Sequence, residues 1–186
     1  MSIHHPFVAN AFYAKFRAPN ADELHEYVEN KEGPSAEFNW EKLCEVDTIK
    51  ITDHEEIDKL LLPSVHQFKK DLDCNFEYEL TQAWINNYRM GGYQEVHNHY
   101  FFGIDFASVF IHNDGPSFGK FFFYNLQYPM NSPTWKHIFK FPERWDAKLK
   151  PGDIIFFPSI MMHGVQVHKS DQVRKTLSAN YRFRFS

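Results

Sequence analysis

Two kinds of apolar spacing divide the chain near residue 75. Up to that point the spacing is helical. The segment from Asn20 to Val28 reads as a short helix with an asparagine cap and early acids, Asp22 and Glu23. A second helix starts at a cap supplied by Thr52 or Asp53, with Ile57, Leu60, Leu61, Val65 and Phe68 on one stripe. Pro63 falls inside that stripe, where proline kinks or splits a helix. From about Phe76 the spacing changes to short runs of Phe, Tyr, Ile and Val. Turn signals separate them at Gly91-Gly92, Asn113–Pro116, Asn131–Pro133, Pro151-Gly152 and Lys169–Asp171. Strands are predicted over Glu77–Arg89, Glu95–His99, Asp105–His112, Gly119–Tyr124, Asp153–Pro158, Gly164–His168 and Arg174–Phe185.

So many strands after helical segments predict a mainly β fold with flanking helices, a sandwich or barrel. No repeat or linker interrupts residues 1–186, so a single domain is expected: a mixed, helical segment over 1–75 packed on a β core over 76–186. Composition changes this picture in three ways. The formal charge of −4 argues against a nucleic-acid binder. No apolar run is long enough for a membrane span, the start carries no secretory pattern, and Cys44 and Cys74 read as reduced thiols, so a cytoplasmic protein is expected. Finally, 20 Phe suit a β core with large side chains, and 11 His invite a search for metal-ligand spacing.

Three features answer that search. In Gly91–His99, strand alternation puts His97 and His99 on one face, as two neighbouring metal ligands require. A bare His-x-His also arises as two solvated histidines on a loop. Further on, Lys150–Val165 reads as a turn, an apolar strand, a break at Pro158 and then His163-Gly164 before another strand. A double-stranded β-helix, or jelly roll, delivers ligands in this way, two from an early strand and one from a late one. The last feature is the alternation after Arg174. Arg174, Thr176, Ser178 and Asn180 share one face; Leu177, Ala179 and Tyr181 share the other. A guanidinium and hydroxyls inside a Phe-rich barrel need a polar partner, and a carboxylate bound by the arginine fork supplies one. Arg182 and Arg184 extend that face as surface residues.

Together these features resemble the 2-oxoglutarate- and Fe(II)-dependent oxygenases, in particular a family of them seen in bacteria and bacteriophages. The resemblance is carried by Trp84-Ile85-Asn86, Gly91-Gly92, His97-Asn98-His99, Pro151-Gly152, Phe157-Pro158-Ser159, His163-Gly164-Val165, Arg174 and Asn180, and covers roughly 80–182. It implies Fe(II) held by a facial triad, 2-oxoglutarate chelated to it, and Arg174 on the distal carboxylate with Thr176 or Ser178 assisting. It also implies O2 as co-reactant, succinate and CO2 as products, and hydroxylation of a substrate C–H bond. The usual triad is two histidines and a carboxylate. Here Asn98 stands between the histidines and no acid occupies position 99. Either His99 replaces the acid or a carboxylate comes from elsewhere, Asp105 being the nearest later one but far along the strand; the expected set is His97, His99 and His163. Asn86 and Tyr88, on one strand face, are candidates for hydrogen bonds to the cosubstrate; Trp84 is expected in the core. His112 and His168 are read as bystanders.

A second resemblance is to the cupins, through Gly-x5-His-x-His at Gly91–His99 and the Gly152, Pro158, His163 spacing, although the cupin glutamate is missing. Both families share the double-stranded β-helix; Arg174 separates them, since a plain cupin has no use for it. A non-catalytic jelly-roll binding protein is the third reading. The substrate is left as a small molecule or peptide, met by loops such as Tyr128–Asp146, with Trp135 and Trp145, and Tyr100–Gly103. A homodimer stays open.

Overall fold

The computed structural model describes residues 11–33, 46–100, 103–128, 130, 132–140 and 142–184. In chain order the elements are β1 (Ala14–Arg17), α1 (Ala21–Asn30), β2 (Asp47–Ile51), α2 (His54–Asp71), β3 (Glu77–Tyr88), β4 (Gln94–His97) and β5 (Phe106–Ile111). They continue with β6 (Phe121–Tyr124), α3 (Pro133–Phe139), β7 (Arg144–Asp146), β8 (Asp153–Pro158), β9 (His163–Val165) and β10 (Arg174–Arg184). Two antiparallel sheets result. The larger has the order β1-β8-β5-β10-β3-β2 and the smaller β4-β9-β6-β7. This is the expected jelly roll, in which facing sheets bury their inner surfaces together.

The large sheet is covered on both faces, which explains why β5 is buried at every position and reads as a continuous apolar run. One face packs under the helices. Leu24 and Val28 of α1 and Ile57, Leu61, Val65 and Phe68 of α2 meet Phe110, Ile154, Phe156, Leu177, Ala179 and Tyr181 there. The Phe68 and Phe156 rings stack with centroids 4.7 Å apart. The other face meets the small sheet, through Val109, Ile155 and Phe157 on one side and Phe121, Phe123 and Val165 on the other. β10 therefore turns Leu177, Ala179 and Tyr181 to the helices and its polar residues inward, as its alternation predicts.

Asp53 is the cap of α2, its carboxylate accepting from the Glu56 amide at 2.9 Å, and the helix runs unbroken through Pro63. The Asn20 side chain does not cap α1. It donates instead to the Leu60 carbonyl at 2.9 Å, tying the two helices together. The strands β1 and β2, absent from the sequence reading, form the two edges of the large sheet, so the segment before residue 75 supplies strands as well as helices. Near Asn131–Pro133, read as a turn, Ser132 caps α3 by accepting from the Trp135 amide at 3.3 Å. Cys74 is a free, exposed thiol; Cys44 and the end of the last predicted strand, Phe185, lie outside the described residues.

Candidate metal and cosubstrate centre

Register across the small sheet builds the centre. His97 pairs with His163, and His163 pairs with Phe123, so the two histidines stand side by side on adjacent strands. Between Gln94 and His97 the β4 register slips against β9, a bulge that brings both residues to the cleft although they are three apart. Gly91, with φ of 87°, turns the chain into β4, and reciprocal bonds of 2.8 Å between Gly91 or Gly92 and His168 lock that turn. His99 lies just past β4, its amide donating to the Ser159 carbonyl at 2.8 Å. The loop before His163 thus holds the segment that carries His99.

The three imidazoles converge. Ring centroids are 4.4 Å apart for His97 and His163, 4.9 Å for His99 and His163, and 5.2 Å for His97 and His99. One nitrogen from each lies within 4.8 Å of the others, and no carboxylate among the described residues joins them. Asp105 is used elsewhere, accepting from the Phe183 amide at 2.7 Å. Each ring commits its Nδ1 to an oxygen: His97 to the Glu95 carbonyl at 2.8 Å, His163 to the Met161 carbonyl at 2.9 Å and His99 to the Asn180 side chain at 2.6 Å. An oxygen acceptor requires Nδ1–H, which leaves every Nε2 with a lone pair, the state a metal ligand needs. Burial lowers the pKa of all three, to about 4 for His99 and well below the ordinary value for His163, with the neighbouring rings adding to it for His99 and His163. The rings are therefore neutral at pH 7.

Arg174, at the start of β10, lines the same cleft and is 3% exposed. Its guanidinium lies 5.0 Å from the Tyr88 ring centroid, and its Nη1 has no hydrogen-bond partner. No ion pair holds it among the described residues. A buried, unpaired cation is costly, so this atom marks where an anion belongs. Burial lowers its pKa, yet arginine stays charged. Thr176 and Ser178 line the cleft beside it, and so does Tyr88, whose hydroxyl donates to Gln94 Oε1 at 2.7 Å. Asn86 does not line the cleft. It is buried behind the hydroxyls, its Nδ2 3.2 Å from Ser178 Oγ and 3.4 Å from Thr176 Oγ1. The donor set thus fits a divalent metal with a bound dicarboxylate: three imidazole lone pairs at one end of the cleft, and a cation with hydroxyls at the other.

Gln94 and the inward role of Trp84 escape sequence reasoning. The β4 bulge hides the first; Trp84 is buried as expected but also lines the cleft, its ring 6.0 Å from that of His99. His168 is fully buried, accepting from the Gly119 amide at 3.3 Å and bonding the Gln172 carbonyl at 2.7 Å; it staples the fold away from the metal cluster. His112 faces His25 at 3.2 Å on the α1 side. Trp135 and Trp145 are both half exposed, and Trp145 donates to the Tyr13 hydroxyl at 3.0 Å.

Solved structures similar to this one are HygX from Streptomyces hygroscopicus with nickel, 2-oxoglutarate and hygromycin B bound, and a prolyl-4-hydroxylase from Pseudomonas putida. The first is 12% identical with a TM-score of 0.66, covering 93% of this chain and 83% of its own. The second is 15% identical with a TM-score of 0.58, covering 93% of both chains. The non-haem α-ketoglutarate-dependent epimerase SnoN from nogalamycin biosynthesis also matches, at 14% identity and a TM-score of 0.62 over 91% of this chain and 78% of its own in its complex with Fe3+, α-ketoglutarate and nogalamycin RO. These likenesses establish the fold. A search of curated proteins found no match. The family model described as "Putative 2OG-Fe(II) oxygenase" matches residues 82–180, which runs from β3 through the Arg174 strand. By that match, over more than half of its length, the chain belongs to this family of 2-oxoglutarate- and Fe(II)-dependent oxygenases.

Proposed function

We propose that His97, His99 and His163 hold Fe(II) through Nε2, and that Arg174 binds the distal carboxylate of 2-oxoglutarate with Thr176 or Ser178 assisting. The reading rests on one observation: the three Nε2 lone pairs and a buried guanidinium whose Nη1 has no partner line the same cleft. When bound, the metal and keto acid supply O2 activation, with 2-oxoglutarate converted to succinate and CO2 and an oxidant left for a substrate C–H bond.

The chain's own residues do the rest. Arg174 supplies the charge that selects a dicarboxylate, and the Tyr88 ring against its face, itself bonded to Gln94, keeps the fork aimed into the cleft. Asn86 fixes the Thr176 and Ser178 hydroxyls from behind. Phe121 and Phe157 pack on His163, with centroids 5.5 and 4.7 Å away, and keep water from the inner side of the cluster.

The substrate is a small molecule or peptide, hydroxylated at carbon. HygX with hygromycin B bound and a prolyl-4-hydroxylase are structural precedents on this fold for the two substrate sizes. Arg174 weighs against a cupin chemistry that does without 2-oxoglutarate. The test is succinate formation from 2-oxoglutarate with Fe(II) and O2, in the wild type and in His163→Ala. Succinate from the wild type alone supports the reading; equal or absent turnover in both overturns it. Once a substrate is in hand, isotopically labelled O2 appearing in the product separates hydroxylation from epimerisation.

A further inference from the structure

The three ligand candidates are not held alike. His97 and His163 give their Nδ1 protons to backbone carbonyls, which present only an acceptor. His99 gives its proton to the side-chain amide of Asn180, which has an acceptor at one end and a donor at the other. Only for His99 does the tautomer depend on which way a partner is turned. With the amide reversed, its Nδ2 would face His99 Nδ1. The ring would then have to accept there and carry its proton on Nε2, where the metal would sit.

Two contacts from β3 hold Asn180 in the useful orientation, one on its backbone and one on its amide. The β10–β3 register slips next to Asn180, skipping Thr81, so that Asn180 stands directly opposite Gln82. The skipped Thr81 donates its hydroxyl to the Asn180 carbonyl at 3.0 Å and fixes the backbone. Gln82 Oε1 then accepts from Asn180 Nδ2 at 3.2 Å, leaving Oδ1 for His99. Asn180 is 3% exposed, so its amide meets these partners rather than bulk solvent, while Gln82 reaches it from an exposed position.

We propose that Asn180, oriented by Gln82, is the positioning residue that keeps His99 in the tautomer able to bind metal. This rests on His99 being a ligand, as proposed above. It goes further by making metal affinity depend on the polarity of a residue that touches no metal. It also accounts for the asparagine at the end of the polar β10 face, which is not among the residues that line the cleft.

Co(II) is the probe, added to the purified full chain at about 0.5 M salt so that simple charge effects are screened. Affinity is read by competition with a coloured chelator, and ligand geometry by the visible d–d spectrum. Asn180→Leu keeps the bulk and removes the acceptor; it should weaken Co(II) roughly 10- to 100-fold and alter the spectrum. Asn180→Asp offers acceptors only and cannot be reversed, so it should restore affinity to the wild-type level or above. Gln82→Leu, at an exposed position, should weaken binding without moving the unfolding midpoint of the metal-free protein, and it carries the test should Asn180→Leu not fold. Leu and Asp variants that are equally weak would make the role merely structural and overturn the proposal, as would a Leu variant indistinguishable from the wild type. A wild-type chain that binds no Co(II), or His99→Ala binding as tightly as the wild type, would instead overturn the ligand assignment beneath it.

Discussion

Replacing Arg174 by leucine should leave stability little changed or raised while it weakens keto-acid binding. In the ligand-free protein the guanidinium is 3% exposed, and its Nη1 makes no hydrogen bond. An unsatisfied buried donor costs about 1–3 kcal/mol. Against that stands the contact with the Tyr88 ring at 5.0 Å, worth about 0.5–2 kcal/mol. Leucine removes both and fills the apolar part of the volume, so the two ranges put the ligand-free variant between about 1 kcal/mol less and about 2.5 kcal/mol more stable than the wild type, with the desolvated charge favouring a gain. For a chain of this size that is a rise in Tm of roughly 2–4 °C per kcal/mol. The same change removes the charge-assisted partner of the distal carboxylate, worth about 2–3 kcal/mol, so 2-oxoglutarate should bind roughly 30- to 150-fold more weakly. Thermal unfolding without ligands and anaerobic calorimetry with 2-oxoglutarate on the Co(II)-loaded protein measure the two effects. Unchanged keto-acid affinity would mean that Arg174 does not bind the distal carboxylate, whatever happens to Tm.

Other outcomes follow from the same geometry. His97→Ala or His163→Ala should abolish stoichiometric metal retention, checked by elemental analysis after gel filtration; full occupancy in either variant would remove that residue from the ligand set. The metal-free protein should lose stability as pH falls from about 6.5 toward about 4. In the unfolded chain these histidines take protons near 6.5, whereas burial holds His99 down to about 4, so the unfolded state binds more protons across that window and stability is complete only above it. Urea midpoints that stay flat over this range would contradict the buried, neutral cluster. Gly119→Ala should destabilise the fold by on the order of 3 kcal/mol, because its Cβ would run into the Gln166 carbonyl oxygen in the strand connection stapled by His168. A thermal midpoint equal to that of the wild type would show that this backbone gives way.

How much of this was legible beforehand depends on whether the information was local. The strict alternation of β10 survives intact, since the large sheet is buried on both faces and each side chain must match its own layer: Leu177 and Tyr181 the helices, Arg174 and Thr176 the cleft. His97 and His99 converge although β4 ends at His97, short of the predicted strand over Glu95–His99, and His163 meets them because β9 pairs with β4. What stayed hidden needs long-range register. The bulge in β4 brings Gln94 inward against the alternation, and the slip at Thr81 sets Gln82 opposite Asn180; neither leaves a mark in the residue types. The short strand β7 is exposed at all three positions and so carries no apolar signal. The edge strand β1 has only four residues to show one.

If one cleft holds a metal on three imidazoles and a dicarboxylic keto acid on Arg174, the two ligands must bind together. Titrating Fe(II) and then 2-oxoglutarate into the protein without oxygen makes this visible, because a keto acid chelated to Fe(II) gives a charge-transfer band. The band should saturate at equal amounts of chain, metal and keto acid, and should be absent in His163→Ala. A protein that takes up Fe(II) yet develops no band with 2-oxoglutarate would contradict such joint binding.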